Sequence, residues 1–185
     1  MGKIASAAIA AVALSLGAGT ADASVQVLGK SMAASCSDAA FAYKSDPDSI
    51  QTCSRAIEQE SMVTRDRAAT HINRGVLLMR RQNFQAALSD FQAAAKIAPT
   101  LGEAYANRGS VYIVEGRFPE AVADFDQALT LGLSQPERTY FNRAVAREWM
   151  DDASGAYRDY RKAAELNPKW PDPQEQMVRF TVIKR

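Results

Sequence analysis

Apolar residues in the second half of the chain recur at steps of three and four. Ala87, Phe91 and Ala94, with Leu88 and Ala95 beside them, fall on one stripe of a helix. Ala121, Phe125 and Ala128 repeat the arrangement, and so do Ala156, Tyr160 and Ala163. Polar turns separate the helical stretches, the first being Arg80-Arg81-Gln82-Asn83. No run keeps the two-residue alternation of a strand for long. The pattern predicts an all-α fold.

The stripes belong to a longer period. Blocks beginning at His71, Tyr105 and Tyr140 align, with 34 residues from Asn73 to Asn107 and 35 from Asn107 to Asn142, Pro136 being the extra residue. Self-similarity at this spacing marks a solenoid, in which each supersecondary unit buries its apolar face against its neighbours. Small residues recur too, at Gly75, Gly109 and Ala144, where they let helix axes approach closely.

These residues resemble the tetratricopeptide repeat (TPR) family, whose repeats are antiparallel helix pairs. His71, Tyr105 and Tyr140 stand at the large opening position, Gly75, Gly109 and Ala144 at the crossing, and Phe91, Phe125 and Tyr160 at the aromatic position of the second helix. Pro99 and Pro168 close two repeats, and Leu133 stands where the middle one would close on Pro. The resemblance implies a right-handed α-solenoid with repeats at 68–101, 102–135 and 137–170. Before them come a linker at 24–33 and a degenerate helical hairpin at 34–67. After them comes a cap at 171–185, with Met177, Phe180 and Ile183 on one face and Gln174, Gln176, Arg179 and Lys184 on the other.

In that family the first helices line a concave face, where the amide matching Asn73, Asn107 and Asn142 commonly bonds the backbone of an extended peptide. Those three residues are the candidate ladder. Bonds to helix backbone or to one another are the alternative. The resemblance also places Ile72, Val76, Ile113, Phe141 and Val145 along an apolar groove, near Met79, Ser110 and Trp149. Matching positions do not form a row of Lys and Arg, so no clamp for a chain-terminal carboxylate is implied.

Charges repeat as well. Arg74, Arg108 and Arg143 each precede an acid, Asp90, Asp124 and Asp159, by 16 residues. A constant offset between complementary charges predicts structural ion pairs, within a hairpin or to the adjacent repeat.

The first 23 residues read differently. Lys3, an apolar run from Ile4 to Leu16 and the small-x-small site Ala21-Asp22-Ala23 have the order of a cleaved secretory signal, leaving Ser24 first. An uncleaved anchor is the rival, although a good span needs about 20 strongly apolar residues. Export would permit a disulfide between Cys36 and Cys53, which flank the turn Ser45-Asp46-Pro47-Asp48 and so sit level on antiparallel helices. Two buried thiols are the alternative.

Composition narrows the functional classes. The 185 residues carry a net charge of +1, and removal of the leader leaves it at +1, so nothing favours nucleic acid or an anionic membrane. The single histidine, His71, occupies a packing position, and neither a metal-ligand spacing nor a phosphate loop occurs. No cofactor is expected, and no enzyme. The sequence therefore describes a periplasmic or secreted adaptor that holds an extended peptide segment in its concave groove. The alternative is a structural subunit of an envelope complex that assembles through its convex face or end cap.

Overall fold

The computed structural model describes residues 24–29 and 31–180; the leader expected at 1–23 and, in the expected cap, Ile183 and Lys184 lie outside them. Every regular element among the described residues is a helix. α1 (Met32–Phe41) pairs with α2 (Pro47–Gln59), α3 (Thr64–Arg80) with α4 (Phe84–Ile97), α5 (Gly102–Val114) with α6 (Phe118–Leu131), and α7 (Pro136–Trp149) with α8 (Ala153–Leu166). The short α9 (Asp172–Met177) packs on α8.

Local chemistry sets the helix ends. Asp46 caps α2 by accepting from the Ser49 N–H at 2.9 Å, with Pro47 in the first turn, where a missing N–H costs nothing. Asn83 and Asp152 cap α4 and α8 in the same way. Each turn inside a pair contains one left-handed residue: Tyr43, Gln82, Gly116 and Asp151, with φ of 56°, 60°, 72° and 60°. Beyond it a backbone N–H returns to a carbonyl of the first helix, Asn83 to Leu78 at 2.9 Å, Arg117 to Tyr112 at 2.8 Å and Asp152 to Arg147 at 2.9 Å. This left-handed ending satisfies carbonyls that a helix terminus otherwise leaves unpaired.

Packing repeats with the sequence. Phe91, Phe125 and Tyr160 are fully buried. A Cβ on Gly75 would stand 2.5 Å from the Phe91 ring, and one on Gly109 2.8 Å from the Phe125 ring, so both crossings close because glycine is there. The first helices of successive pairs touch, α3 with α5 and α5 with α7, and each second helix packs on the first helix of the next pair. The row of first helices is therefore the inner side of the solenoid.

Both ends are closed. Cys36 and Cys53 are bonded, with Cα atoms 4.9 Å apart, and both are fully buried, so α1 is stapled to α2. Glu60 reinforces the hairpin by accepting from the Met32 and Ala33 N–H groups at the start of α1. At the other end Trp170, Met177 and Phe180 cover Phe141 and Tyr160, with the Trp170 and Phe141 rings 4.9 Å apart.

The stretch at 24–33, expected to be a linker, is not one. Met32 and Ala33 already belong to α1, and Val25 and Val27 are buried in the same apolar cluster as Ala33, Ile72 and Val76. Residues 24–28 form no regular element; they lie across the inner side of α1 and α3 as an arm.

Candidate peptide-binding groove

Asn73 on α3 shows what the inner face does with a backbone. Its Oδ1 accepts from the Val25 N–H at 2.8 Å, and its Nδ2 donates to the Val25 carbonyl at 2.7 Å. One carboxamide thus satisfies both main-chain groups of one residue, as its paired donor and acceptor allow. Ser37 on α1 adds to this: its hydroxyl accepts from the Val27 N–H at 3.1 Å and donates to the Val25 carbonyl at 3.3 Å. Burial alternates along the arm, with Val25 and Val27 inside and Gln26 and Leu28 outside. The groove holds an extended segment by its backbone and two alternate side chains, and that segment is the chain's own.

The other candidate groove residues are placed less openly than the sequence suggests. Ile72 and Val76 are core, fully covered in the cluster that includes the arm and α1. Asn107 has no exposed surface, and Asn142 is 6% exposed and donates to the Ser110 hydroxyl at 3.3 Å. Phe141 belongs to the C-terminal core with Tyr160 and Trp170 rather than to a pocket. Neighbouring elements cover these inner positions: the arm and α1 lie over Ile72 and Val76, Ser110 of α5 meets Asn142, and Tyr160 and Trp170 pack on Phe141. Ile113 and Val145 remain partly open on α5 and α7, and Trp149 stacks on Phe118 at 5.2 Å while keeping 38% of its surface exposed.

The repeated charges meet inside their own hairpins. Arg74 grips Asp90 through Nε at 2.8 Å and a terminal nitrogen at 2.7 Å, Arg108 grips Asp124 at 2.7 Å twice, and Arg143 grips Asp159 at 2.8 and 2.7 Å. Such two-pronged contacts fix orientation as well as distance. His71 adds a contact from Nδ1 to Asp90 at 2.8 Å, and Arg147 adds one to Asp159 at 2.8 Å. Links between repeats run from Arg74 to the Ser54 hydroxyl on α2 and from Arg143 to Asp126 on α6. Hydrogen bonding to Asp90 and to Asp124 holds Arg74 and Arg108 above the ordinary guanidinium range. For Arg143, burial works against the charge, and Asp159 and Asp126 overcome it. These groups orient helices; they face one another rather than a ligand.

Ser37, Val25 and Val27 went unrecognised in the sequence. The one signal for them is the alternation Val25-Gln26-Val27 next to Ala23, short enough to pass for linker. Among the described residues no group of three or more His, Cys, Asp or Glu stands where a metal ion would be held, and no helix is long and apolar enough to cross a membrane.

An antiparallel array of helix pairs, three of them with a glycine or alanine packed with a buried aromatic of the partner helix, defines a helical-repeat protein of the solenoid class. Models of the tetratricopeptide repeat match residues 68–101 and 102–131. Over those residues the chain is built of TPR repeats. Mitochondrial import receptor subunit TOM70 of Rattus norvegicus is 38% identical over 109 residues, 56% of this chain and 18% of that protein. The chain spans less than a fifth of the length of the curated relatives it matches first, at 17% and 18%. In solved structures, MamA from Desulfovibrio magneticus RS-1 superposes with a TM-score of 0.62 at 13% identity, over 82% of this chain and 84% of that one. YrrB, described as a TPR protein with an unusual peptide-binding site, superposes at 0.62 with 23% identity, over 69% of this chain and 63% of that one.

Proposed function

We propose that this protein is an exported protein-interaction adaptor whose inner groove binds an extended peptide segment of its partner. The observation that carries the reading is the two-way bonding of Asn73 to the Val25 main chain, because an amide that satisfies an N–H and a carbonyl together suits any residue in an extended chain. Ile113, Val145 and the Phe118–Trp149 stack supply apolar surface farther along the same row of first helices. Support from relatives is general: TOM70 is named a receptor subunit and YrrB a peptide binder. An adaptor needs no catalytic group, and the repeated Arg and Asp residues are committed to helix-to-helix pairs.

Export belongs to the same reading. The leader has the order of a secretory signal, and a disulfide between Cys36 and Cys53 suits an oxidising compartment such as a periplasm. Cleavage after Ala23 would make the arm a free N-terminal end.

Affinity capture from the organism's own envelope extract tests the proposal, with the unaltered protein compared against Asn73→Ala and against Val145→Asp. Loss of the same captured protein by both variants, with helicity retained, supports the groove. Undiminished capture by both would move the partner to the convex face.

A further inference from the structure

We infer that Ser24–Leu28 is a tethered occupant of the first subsite of the groove, and that this subsite accepts in trans an extended segment with aliphatic side chains two residues apart. The inference rests on the peptide-binding reading above and adds to it the chemistry of the ligand and the reason the site is closed in the free protein.

Three observations carry it. The arm is held as a receptor holds a peptide: the Val25 N–H and carbonyl go to a side-chain amide, and the Val27 N–H goes to a side-chain hydroxyl. None of these three contacts is a ladder between strands. Selectivity comes from alternate side chains, since Val25 and Val27 are 5% and 6% exposed while Leu28 between arm and helix is 82% exposed. The subsite therefore reads positions i and i+2 and ignores those that follow the other face of an extended chain. Finally, the arm joins α1 through Gly29, whose φ of 115° lies where L side chains are strained and around which a Cβ would meet nothing within 4 Å. That joint turns the chain into the groove without being clasped there.

The consequences for binding follow from the tether. A short flexible connection gives the arm an effective concentration on the order of millimolar. A free peptide of equal intrinsic affinity competes with it, and its apparent affinity falls by the fraction of molecules in which the arm is out. A partner segment gains the site only by outbidding the arm, through contacts continued toward Ile113 and Val145 or through a local concentration of its own.

The probe is a fluorescent peptide with the arm's sequence, Ser-Val-Gln-Val-Leu-Gly, titrated into the full-length protein and into a full-length variant carrying Val25→Asp and Val27→Asp. Those changes place carboxylates where the groove has no partner for them, and they expel the arm. The expected result is binding to the variant at least tenfold tighter than to the unaltered protein, abolished when Asn73→Ala is added and absent for a peptide with both valines replaced by Asp. A second measurement needs no variant: excess peptide should speed hydrogen exchange at the Val25 and Val27 amides of the unaltered protein. Equal affinity for both proteins, or Val25 and Val27 amides that exchange at one rate with and without bound peptide, would overturn the tethered-occupant inference while leaving a peptide-binding groove. Binding to neither protein overturns the inference as well, and the adaptor reading then stands or falls on the envelope capture, which does not involve the arm's sequence.

Discussion

Separating Arg108 from Asp124 should cost far more than an ordinary surface ion pair does. The two side chains meet through two bonds of 2.7 Å, with the carboxylate side 10% exposed and the guanidinium 21% exposed. Exposed pairs are worth about 0.2–1 kcal/mol, whereas removal of one member of a buried pair costs about 3–5 kcal/mol because the other charge is left without its partner. Partial exposure of Arg108 lowers that figure, since its guanidinium can reach water once Asp124 is gone. We expect about 2 kcal/mol for Asp124→Leu and about 3 kcal/mol for Arg108→Met, which strands the better-buried carboxylate. The double variant replaces both charges with apolar groups and should lose about 1–2 kcal/mol, so the coupling is roughly 3–4 kcal/mol. Urea unfolding followed by far-UV circular dichroism measures all four proteins. The parallel cycle on Arg143 and Asp159 should give a smaller coupling, because Arg147 also reaches Asp159 at 2.8 Å and remains after Arg143 is removed. Single losses that add to within about 0.5 kcal/mol would refute the reasoning and make the pair an exposed one in effect.

Other perturbations have equally definite outcomes. Gly75→Ala sets a Cβ 2.5 Å from the buried Phe91 ring, so overpacking of about 1–3 kcal/mol outweighs the gain of about 1 kcal/mol in helix propensity; thermal melts should rank it below Gly109→Ala. Joint replacement of Cys36 by Ser and Cys53 by Ala should cost about 3 kcal/mol, or about 6–12 °C in melting temperature for a domain this size, and an unchanged melt would mean the first hairpin does not depend on its staple. Burial, and after it Glu148, pushes the Tyr160 phenol above its ordinary value. Its contribution to stability is therefore full below the unfolded value near pH 10 and is lost as pH rises further, at up to about 1.4 kcal/mol per pH unit. Unfolding free energies of Tyr160→Phe should fall less steeply above pH 10, and equal slopes would show that the phenol ionises as freely folded as unfolded.

What could be seen in advance divides by the range of the interaction. The helix pairs, their order and the faces of Phe91, Phe125 and Tyr160 were legible because a 34-residue period repeats each local pattern three times. Turn geometry was not, since Gln82 and Asp151 adopt the left-handed conformation at the position where Gly116 does and nothing in their side chains announces it. The ladder of asparagines was visible as a row, but its exposure was not: burial of Asn107 and Asn142 depends on contacts between whole helices, such as that of Asn142 with Ser110 on the preceding first helix. Least legible was the arm. Val25 lies 48 residues from Asn73, and a pairing at that separation leaves no periodic trace.

The central claim is that Asn73 reads the main chain of an extended segment, and the Asn73 side-chain amide resonance reports on it directly. With the arm released by Val25→Asp and Val27→Asp, addition of Ser-Val-Gln-Val-Leu-Gly should shift that resonance and slow its exchange with water, restoring the values of the unaltered protein. A peptide that binds while the Asn73 amide stays unshifted and unprotected would contradict the account.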